Sequence, residues 1–208
     1  MKDFWENRYR EPAYAYGLEP NTYLRSFIES NPAGRILLPG EGEGRNAVYA
    51  ALKGWQVDAF DFSEQAREKA LRLAAEKGAQ INYFISDFTN LQLNTHEYDA
   101  VALIFVHIPP QIRRAVHRQL ANHLKINGTL LMEAFSKEQI RNNSGGPRDE
   151  AMLYTPEELR EDFRYLKIDE IIQLDVELDE GKYHRGTANV IHLLARKTGP
   201  TIAVGANA

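Results

Sequence analysis

Cysteine is absent from the 208-residue sequence, and the missing thiols exclude disulfides, thiolate metal ligands and cysteine nucleophiles. No run approaches the roughly 20 consecutive apolar residues of a membrane span. Residues 1–6 also lack the apolar segment of a secretory signal. We therefore expect a cytoplasmic protein without a membrane partner, and we predict no metal site.

An excess of positive charge is missing too, since the formal net charge is −4. Such a surface has no general attraction for phosphate backbones or anionic lipid, so nucleic acid is a poor candidate substrate. Hydrophobic residues make up 43% of the chain, enough for a sizeable core in a globular protein. These proportions are ordinary for a soluble globular chain.

A glycine-rich loop follows the first strand-like run. Residues 35–38 (RILL) lead to Gly40, Gly42 and Gly44, and a helical pattern begins at Arg45. Glycines at alternating positions let the backbone turn sharply and let a ligand come within contact distance of the main chain. The free N–H groups at the start of the next helix favour an anionic group there. The pattern indicates a nucleotide-binding loop.

The spacing of the glycines separates two nucleotide cofactors. The dinucleotide pattern G-x-G-x-x-G would need its third glycine at Arg45, whereas G-x-G-x-G fits residues 40–44. This disfavours NAD, and with it a nucleotide-dependent oxidoreductase, and favours S-adenosylmethionine. The second strand ends in Asp61, which is placed to accept hydrogen bonds from ribose hydroxyls. The alternative for Asp61 is a helix-capping role before Ser63.

Strand-like and helical segments alternate along the chain, which is typical of an α/β protein with a parallel sheet. Residues 100–105 are continuously apolar, as expected for a central strand covered on both faces. Residues 155–158 (TPEE) predict a helix start with a capping box. The last two strands, about residues 166–178 and 186–195, predict an antiparallel hairpin. We expect a Rossmann-like sheet of seven strands with helices on both faces.

Residues 1–197 are predicted to form a single domain. Residues 1–34 are interpreted as an N-terminal cover, aromatic and irregular at first and helical from about residue 21 to residue 30. Residues 136–153 form a polar, glycine-bearing loop whose length is typical of a lid or binding loop. Residues 198–208 are predicted to be a flexible tail.

Several short patterns spread over most of the chain point to a known family. They are FWENRY at residues 4–9, YGLEPN at 16–21, the glycine loop at 40–47, Asp61, DF at 87–88, YDAV at 98–101, GGP at 145–147 and MLY at 152–154. With the terminal hairpin, they resemble the class I S-adenosylmethionine-dependent methyltransferases. Within that class the chain is similar to the small bacterial tellurite-resistance and thiopurine methyltransferases.

The resemblance implies a set of cofactor contacts. The three glycines would line the methionine part of S-adenosylmethionine, and Asp61 would hold the ribose. Asp87 would accept a hydrogen bond from the adenine amine, with a turn-forming role as its alternative. The predicted cofactor-binding residues are Gly40, Glu41, Gly42, Gly44, Arg45, Asn46, Asp61, Phe62, Ser63, Asp87, Phe88 and Phe105.

One position departs from the family's pattern. An acid commonly stands two residues before the first glycine, and Leu38 occupies that place here. Support of the methionine ammonium can come instead from Glu41 or Glu43, or both can be solvated rim residues. The departure keeps a second function open, namely a non-catalytic S-adenosylmethionine sensor or interaction protein on the same fold.

Methyl transfer from a sulfonium is an in-line displacement, so alignment and exclusion of water can supply much of the rate. A soft acceptor needs no base. For a hydroxyl or amine acceptor, His107 beyond the fourth strand is the candidate catalytic base, with a packing role as its alternative. An amino-methylating nucleic-acid enzyme is disfavoured, because residues 108–111 (IPPQ) lack the residue types that such an enzyme needs on both sides of Pro-Pro.

Aromatic residues can enclose the acceptor. Trp5, Tyr9 and Tyr16 of the cover are predicted to fold over the site, with simple packing as the alternative. Tyr154 and the residue 136–153 loop are predicted to close the acceptor side, and His184 is interpreted as structural. We expect a small-molecule acceptor, with a soft sulfur, selenium or tellurium centre favoured. The choice between monomer and homodimer is open.

Overall fold

The computed structural model of the chain describes residues 2–93 and 96–199. In these residues, the helices are α1 Lys2–Tyr9, α2 Thr22–Ser30, α3 Arg45–Leu52, α4 Glu64–Lys77, α5 Pro110–Asn122 and α6 Pro156–Asp162. The strands are β1 Arg35–Pro39, β2 Gln56–Asp61, β3 Asn82–Ile85, β4 Tyr98–Ile104, β5 Leu124–Phe135, β6 Lys167–Asp179 and β7 Arg185–Arg196. Two short 3-10 helices, Lys137–Arg141 and Glu150–Met152, lie in the loop after β5.

The seven described strands form one sheet in the order β3-β2-β1-β4-β5-β7-β6. Strands β1 to β5 run parallel, and β7 is antiparallel to both β5 and β6. The predicted seven-stranded α/β sheet with a terminal antiparallel hairpin is confirmed. The chain order reverses between β1 and β4, and ligands of open α/β sheets bind outside the carboxyl ends of the strands at such a point.

Two apolar clusters cover the two faces of the sheet. Val101 and Leu103 of β4 belong to the cluster beneath α5 and α6, whereas Ala100 and Ala102 belong to the cluster beneath α2, α3 and α4. Successive residues of a strand point to opposite faces, so burial on both faces requires an apolar residue at every position. The prediction of helices on both faces is confirmed.

Helix α1 corrects the prediction that the chain begins irregularly. Its sequence KDFWENRY lacks a continuous apolar stripe, so the periodic signal of an amphipathic helix is missing. Tertiary contacts hold it instead. Trp5 stacks on Tyr9 with ring centroids 5.6 Å apart, and the Glu6 carboxylate accepts hydrogen bonds from Ser63 and Glu64 at the start of α4.

The other predicted boundaries agree to within a few residues. Strand β5 begins at Leu124 and runs through the polar pair Asn127-Gly128, with Asn127 at a φ of 68°. At α6, Thr155 and Glu158 form the predicted capping box.

The carboxyl ends of β1, β2, β4 and β5 meet at one edge of the sheet. Because β7 is antiparallel to β5, the turn between β6 and β7 lies at this same edge. In the described part of the chain, no helix combines the length and apolar composition needed to cross a membrane. Positions 200–208 of the predicted tail lie outside the described residues, and the single domain stays a prediction.

Candidate functional site

The glycine loop after β1 adopts the backbone conformation that its sequence predicts. Gly40, Gly42 and Gly44 have φ angles of 63°, 65° and 89°, in the left-handed region that other residues rarely adopt. A Cβ at Gly40 would lie 3.2 Å from Val106 and 3.5 Å from the ring of Phe88. The missing side chain therefore lets the loop pack closely against these two apolar residues.

Gly44 has a different role from the first two glycines. A Cβ at this position would lie 2.6 Å from the Cβ of Ala70 in α4. Gly44 is also the N-cap residue of α3. Its missing side chain serves the close packing of α3 against α4, and this observation does not support the expectation that Gly44 lines the cofactor.

Asp61 at the end of β2 is buried and its carboxylate faces the glycine loop. It accepts hydrogen bonds from the backbone N–H of Gly42 at 3.2 Å and of Ser63 at 3.0 Å. Burial raises the pKa of Asp61 to about 6, although these N–H donors oppose the shift. A carboxylate that is costly to keep charged gains from further hydroxyl donors, and a perturbed acid in such a place is typical of a functional site.

Glu41 caps the helix that follows the loop. Its Oε1 atom accepts hydrogen bonds from the backbone N–H groups of Asn46 and Ala47, at 2.9 and 2.8 Å. Burial raises the pKa of Glu41 to about 7, against the effect of these two donors. Leu38, at the position where the family commonly has an acid, is buried in the apolar cluster. The carboxylate nearest the α3 N-terminus is therefore that of Glu41.

Glu43 ties the loop to the N-terminal cover. Its carboxylate forms a buried ion pair with Lys69 of α4 at 2.6 Å and accepts a hydrogen bond from the backbone N–H of Ala15. The Lys69 ammonium also donates to the carbonyls of Glu11 and Ala13. The expectation that Glu43 is a solvated rim residue is wrong, because a buried charge needs these partners.

Arg45 and Asn46 make contacts with the cover as well. Arg45 forms an ion pair with Glu180 at 2.7 Å and donates to the carbonyls of Tyr16 and Glu19. The Asn46 side chain accepts a hydrogen bond from the backbone N–H of Asn21. These contacts fasten residues 16–21 to the start of α3, so the two side chains are engaged by protein groups at the place predicted for cofactor contacts.

Tyr9 of the aromatic cover contacts the glycine loop. A Cβ at Gly42 would lie 2.8 Å from the Tyr9 hydroxyl oxygen. Trp5 stacks on Tyr9, and the ring of Tyr16 lies 6.4 Å from that of Trp5. Burial raises the pKa of Tyr9 far above its ordinary value, and the nearby Asp61 adds to the shift. The Tyr9 hydroxyl therefore stays protonated beside the loop.

Four more predicted cofactor residues follow strands β2 and β3. Ser63 is the N-cap of α4, with Phe62 half-buried before it. Phe88 packs edge-on against Phe60 and forms the wall opposite Gly40. Asp87 is exposed, and its Oδ1 atom accepts hydrogen bonds from the backbone N–H groups of Thr89 and Asn90. Its turn-forming alternative is thus observed.

His107 and Tyr154 form a buried stack behind the sheet edge, with ring centroids 5.1 Å apart. The Nδ1 atom of His107 lies 2.8 Å from the Met152 carbonyl, and its Nε2 atom accepts from the backbone N–H of Phe135. Burial lowers the pKa of His107 to about 4. The Tyr154 hydroxyl donates to the Val106 carbonyl and accepts from the Ile108 N–H. Both side chains are saturated by the backbone, which favours their packing alternatives.

A second group of aromatic residues at the same edge was missed as a group by the sequence reasoning. His184, in the turn between β6 and β7, lies 4.4 Å from the ring of Tyr16 and 4.5 Å from that of Phe105. Phe135 at the end of β5 stacks on Phe105 at 4.6 Å and meets His184 edge-on at 5.3 Å. A regular pattern linking these residues is absent from the sequence, since four separate segments supply them.

A cavity of about 480 Å³ adjoins this group on the side of α2. Tyr16, Asn21, Glu133, Glu180 and His192 are among the residues that line it. Asn21 donates hydrogen bonds to the carboxylates of both Glu133 and Glu180, at 3.0 and 3.1 Å. The cavity is therefore polar where it meets the cover.

The residues at the sheet edge fit S-adenosylmethionine. A side chain at Gly40 or Gly42 would crowd Val106 or the Tyr9 hydroxyl, so the backbone of the loop carries no side chain here. Phe88 and Val106 offer an apolar wall, and Asp61 is a buried acceptor. An adenosine has a flat apolar ring and a ribose diol that donates hydrogen bonds, so these groups match its parts. The cover would separate such a molecule from water.

Comparison with known proteins agrees with this geometry. Residues 36–128 match the family described as "Methyltransferase domain". Thiocyanate methyltransferase 1 of Brassica oleracea is 29% identical over 134 residues, which cover 62% of this chain and 58% of that protein. The thiopurine S-methyltransferase of Pseudomonas putida (strain GB-1) is 28% identical over 140 residues, with coverages of 57% and 64%. The chain spans less than two thirds of the length of these two relatives.

A solved structure agrees in fold. The crystal structure of TehB from Haemophilus influenzae superposes with a TM-score of 0.70 at 20% identity, over 95% of this chain and 67% of that one. At this identity the likeness concerns the fold alone. The matched family segment runs from β1 to within β5, so it contains the glycine loop, Asp61 and the end of β4.

Proposed function

The chain belongs to the class I S-adenosylmethionine-dependent methyltransferases, and from that premise we propose that it transfers the sulfonium methyl group to a small-molecule acceptor enclosed beneath its N-terminal cover. The observation that carries the proposal is the contact between Tyr9 and Gly42. It brings the aromatic cover onto the cofactor loop, so a reacting molecule there is shielded from water. A large polymer has no comparable access to an enclosed site.

The groups around the glycine loop would bind and align the cofactor. The Asp61 carboxylate would accept hydrogen bonds from the ribose hydroxyls, and Phe88 and Val106 form an apolar wall beside the loop. When bound, S-adenosylmethionine supplies a methyl group open to in-line displacement. The π-faces of Trp5 and Tyr16 in the cover would be available to a sulfonium charge beneath them. Alignment and exclusion of water would lower the barrier.

A soft chalcogen acceptor is favoured within this class. The two sequence relatives are named for thiocyanate and for thiopurine S-methylation, which are both reactions at sulfur. The predicted base His107 has both ring nitrogens engaged by the backbone. A sulfur, selenium or tellurium nucleophile reacts with less help from a base than a hydroxyl or an amine does, so the proposal extends to such a centre. The cytoplasmic location and the choice between monomer and homodimer stay predictions.

Calorimetry and a turnover panel test the proposal together. We expect the protein to bind S-adenosylmethionine and S-adenosylhomocysteine, with no measurable binding of NAD. It should then methylate small thiols or selenols faster than matched alcohols and amines. Binding without turnover of any acceptor would favour the alternative of a cofactor sensor, and NAD binding alone would contradict the cofactor assignment.

A further inference from the structure

The cofactor and the acceptor would bind at different strand ends of the same sheet edge. The glycine loop, Asp61 and Phe88 lie at the ends of β1, β2 and β3, so the cofactor occupies that half. An acceptor in line with the methyl group must then approach from the ends of β4 and β5 and from the turn between β6 and β7. Phe105 and Phe135 lie at those two strand ends, and His184 lies in that turn.

His184 carries the polar atoms of this aromatic group. Its ring is surrounded by Tyr16, Phe105 and Phe135. The Nδ1 atom lies 3.4 Å from Oε2 of Glu180, the same oxygen that forms an ion pair with Arg45 at 2.7 Å. A carboxylate can only accept, so Nδ1 carries the proton in the neutral ring and the lone pair lies on Nε2.

The Nε2 atom of His184 differs from that of His107 in its partners. In the described parts of the chain, no residue forms a hydrogen bond with Nε2 of His184, and the side chain is 8% exposed. Gly145 of the loop after β5 packs against this edge of the ring. A Cβ at Gly145 would lie 2.6 Å from Cδ2 and 3.2 Å from Nε2 of His184, so any larger residue there would clash with the ring and cover Nε2. The Arg185 N–H donates to the Ser144 carbonyl and holds the loop beside the turn.

We propose that His184 is the catalytic base of this site: its Nε2 atom accepts the proton of a thiol or selenol acceptor, while Glu180 and Arg45 hold the imidazole in position. The inference rests on the methyl transfer proposed above and narrows its acceptor class. A base at this position favours an acceptor that is still protonated when it binds. A permanently ionised anion has no need of this group.

The step balances in atoms and charge. The acceptor's S–H or Se–H bond breaks, and its proton goes to Nε2 of His184. The electron pair left on the chalcogen forms the bond to the methyl carbon. The bond between that carbon and the sulfonium sulfur breaks, and its electron pair stays on the sulfur of S-adenosylhomocysteine. His184 then returns its proton to water after the site opens.

The charges around His184 keep it available as a base at neutral pH. Burial lowers the pKa of His184, while Glu180 opposes the shift. Arg45 of α3 favours the neutral ring, and Glu133 of β5 favours the charged one. Towards the end of β4, the charge of His184 acts on His107 and lowers the pKa of that residue. Tyr16 on the cover side also has a raised pKa, mainly from burial, and so adds no charge.

Two thiols of different acidity provide the first test. One is 2-mercaptoethanol, which is protonated at neutral pH, and the other is 4-nitrothiophenol, which is ionised there. We expect His184→Gln to lower kcat/KM at least about 100-fold for 2-mercaptoethanol, within the usual contribution of a general base. The loss for 4-nitrothiophenol should stay below about tenfold. His96→Gln, at the opposite edge of the sheet, is the matched control and should change neither value.

Nitrogen-15 NMR of labelled histidine provides a readout independent of turnover. In the protein with bound S-adenosylhomocysteine, we expect His184 to be neutral at pH 7 with its proton on Nδ1 and a free Nε2 lone pair. Glu180→Gln should lower the pKa of His184 further, because the carboxylate that favours the charged ring is gone. Glu180→Gln should also lower kcat/KM for 2-mercaptoethanol more than for 4-nitrothiophenol, as befits a positioning residue.

The outcomes separate this inference from the proposed function. An active wild-type protein whose His184→Gln variant loses equal activity on both thiols, or none, would overturn the role of His184 alone. A proton found on Nε2 in the neutral ring would overturn it as well. A wild-type protein that binds S-adenosylmethionine but methylates neither these thiols nor any panel acceptor would overturn both.

Discussion

The proposed cofactor half and the proposed acceptor half of the sheet edge are built in different ways. Residues 40–63 supply most of the cofactor half, with a tight loop, a helix and one buried acid close together in the chain. The acceptor half takes Tyr16, Phe105, Phe135 and His184 from four distant segments. A local backbone requirement leaves a pattern in the sequence, whereas an assembly of distant side chains leaves none.

The two halves also hold their charges differently. In the cofactor half, Glu41 and Asp61 accept hydrogen bonds from backbone N–H groups, and burial raises the pKa of both. In the acceptor half, burial alone would raise the pKa of Glu180, but the hydrogen bond from His184 and the Arg45 charge lower it to about 2. In the first half, the carboxylates can accept hydrogen bonds from the donors of a ligand. In the second half, the Glu180 carboxylate is already paired with side chains of the protein.

The ion pair of Glu43 and Lys69 joins the cover to the cofactor half, and breaking it should have the largest effect. Lys69→Met leaves the Glu43 carboxylate buried with a single backbone donor, so we expect a loss of about 3–5 kcal/mol in the free energy of unfolding. Urea denaturation measures it. Lys53→Met, in an exposed pair at 3.9 Å, is the control and should cost less than about 1 kcal/mol. A similar small cost for Lys69→Met would show that the cover is not anchored there.

The cost of burying Glu41 should appear as a pH dependence. Its folded pKa of about 7 lies above the ordinary 4.5, so the folded state binds the proton more tightly. Stability from this group is complete below pH 4.5 and is lost as the pH rises towards 7, by about 3 kcal/mol. Urea denaturation across this range should show a flatter profile for Glu41→Gln than for wild type. The exposed Glu68→Gln should keep the wild-type profile, and an unchanged slope in Glu41→Gln would contradict the assignment.

Removal of the cover tests whether the acceptor half depends on enclosure. Deleting residues 1–16 removes Trp5, Tyr9 and Tyr16, and we expect kcat/KM to fall at least about 100-fold, which corresponds to about 2.7 kcal/mol. Circular dichroism checks that the truncated protein is folded. The single substitution Trp5→Ala should also slow turnover. Phe4 is exposed, so Phe4→Ala should not. An active truncated protein would remove the basis for an enclosed acceptor.

Asp61 tests the cofactor half by itself. Asp61→Ala removes the predicted ribose acceptor, so we expect the binding of S-adenosylmethionine to weaken by about 1–3 kcal/mol, the cost of stranding polar partners. Calorimetry measures the dissociation constant, and a thermal melt confirms the fold. If the folded variant binds as tightly as wild type, Asp61 acts as a local cap for Gly42 and Ser63 only.

His107 should give the smallest effect on turnover. Since both of its ring nitrogens are engaged by the backbone, we expect His107→Ala to lower kcat less than tenfold, below the usual general-base contribution of about 10²–10⁴. Steady-state kinetics on a folded variant measures it. A dead His107 variant together with an active cover truncation would point to base-assisted methylation of a hydroxyl or an amine.

Much of the fold could be predicted because its signals are local. The apolar run of β4 and the capping box at Thr155 each report a requirement of nearby residues, and both are observed. Helix α1 could not be predicted in this way. Its stability depends on Trp5, Tyr9 and their partners in α4, and those contacts leave no period in the sequence of the helix.

The sequence indicates where a polar residue lies along the chain better than it indicates which groups its side chain contacts. Glu43 follows the predicted loop but pairs with Lys69, 26 residues later. Asp87 lies after the predicted strand and turns its carboxylate to Thr89 and Asn90. Each side chain has several partners within reach in principle, and the packing of neighbouring segments selects among them.

The sequence by itself determined the glycine loop, the acid at Asp61 and the order of helices and strands, because residue type limits φ, hydrogen bonding and burial at each position. Tertiary structure alone decided that both ring nitrogens of His107 are paired with the backbone, while Nε2 of His184 has no hydrogen-bond partner among the described residues. The physical reason is that the partners of a side chain come from segments that are distant in the sequence. The partners of His107 lie 28 and 45 positions away, and the ring of His184 is packed against Tyr16 of the cover.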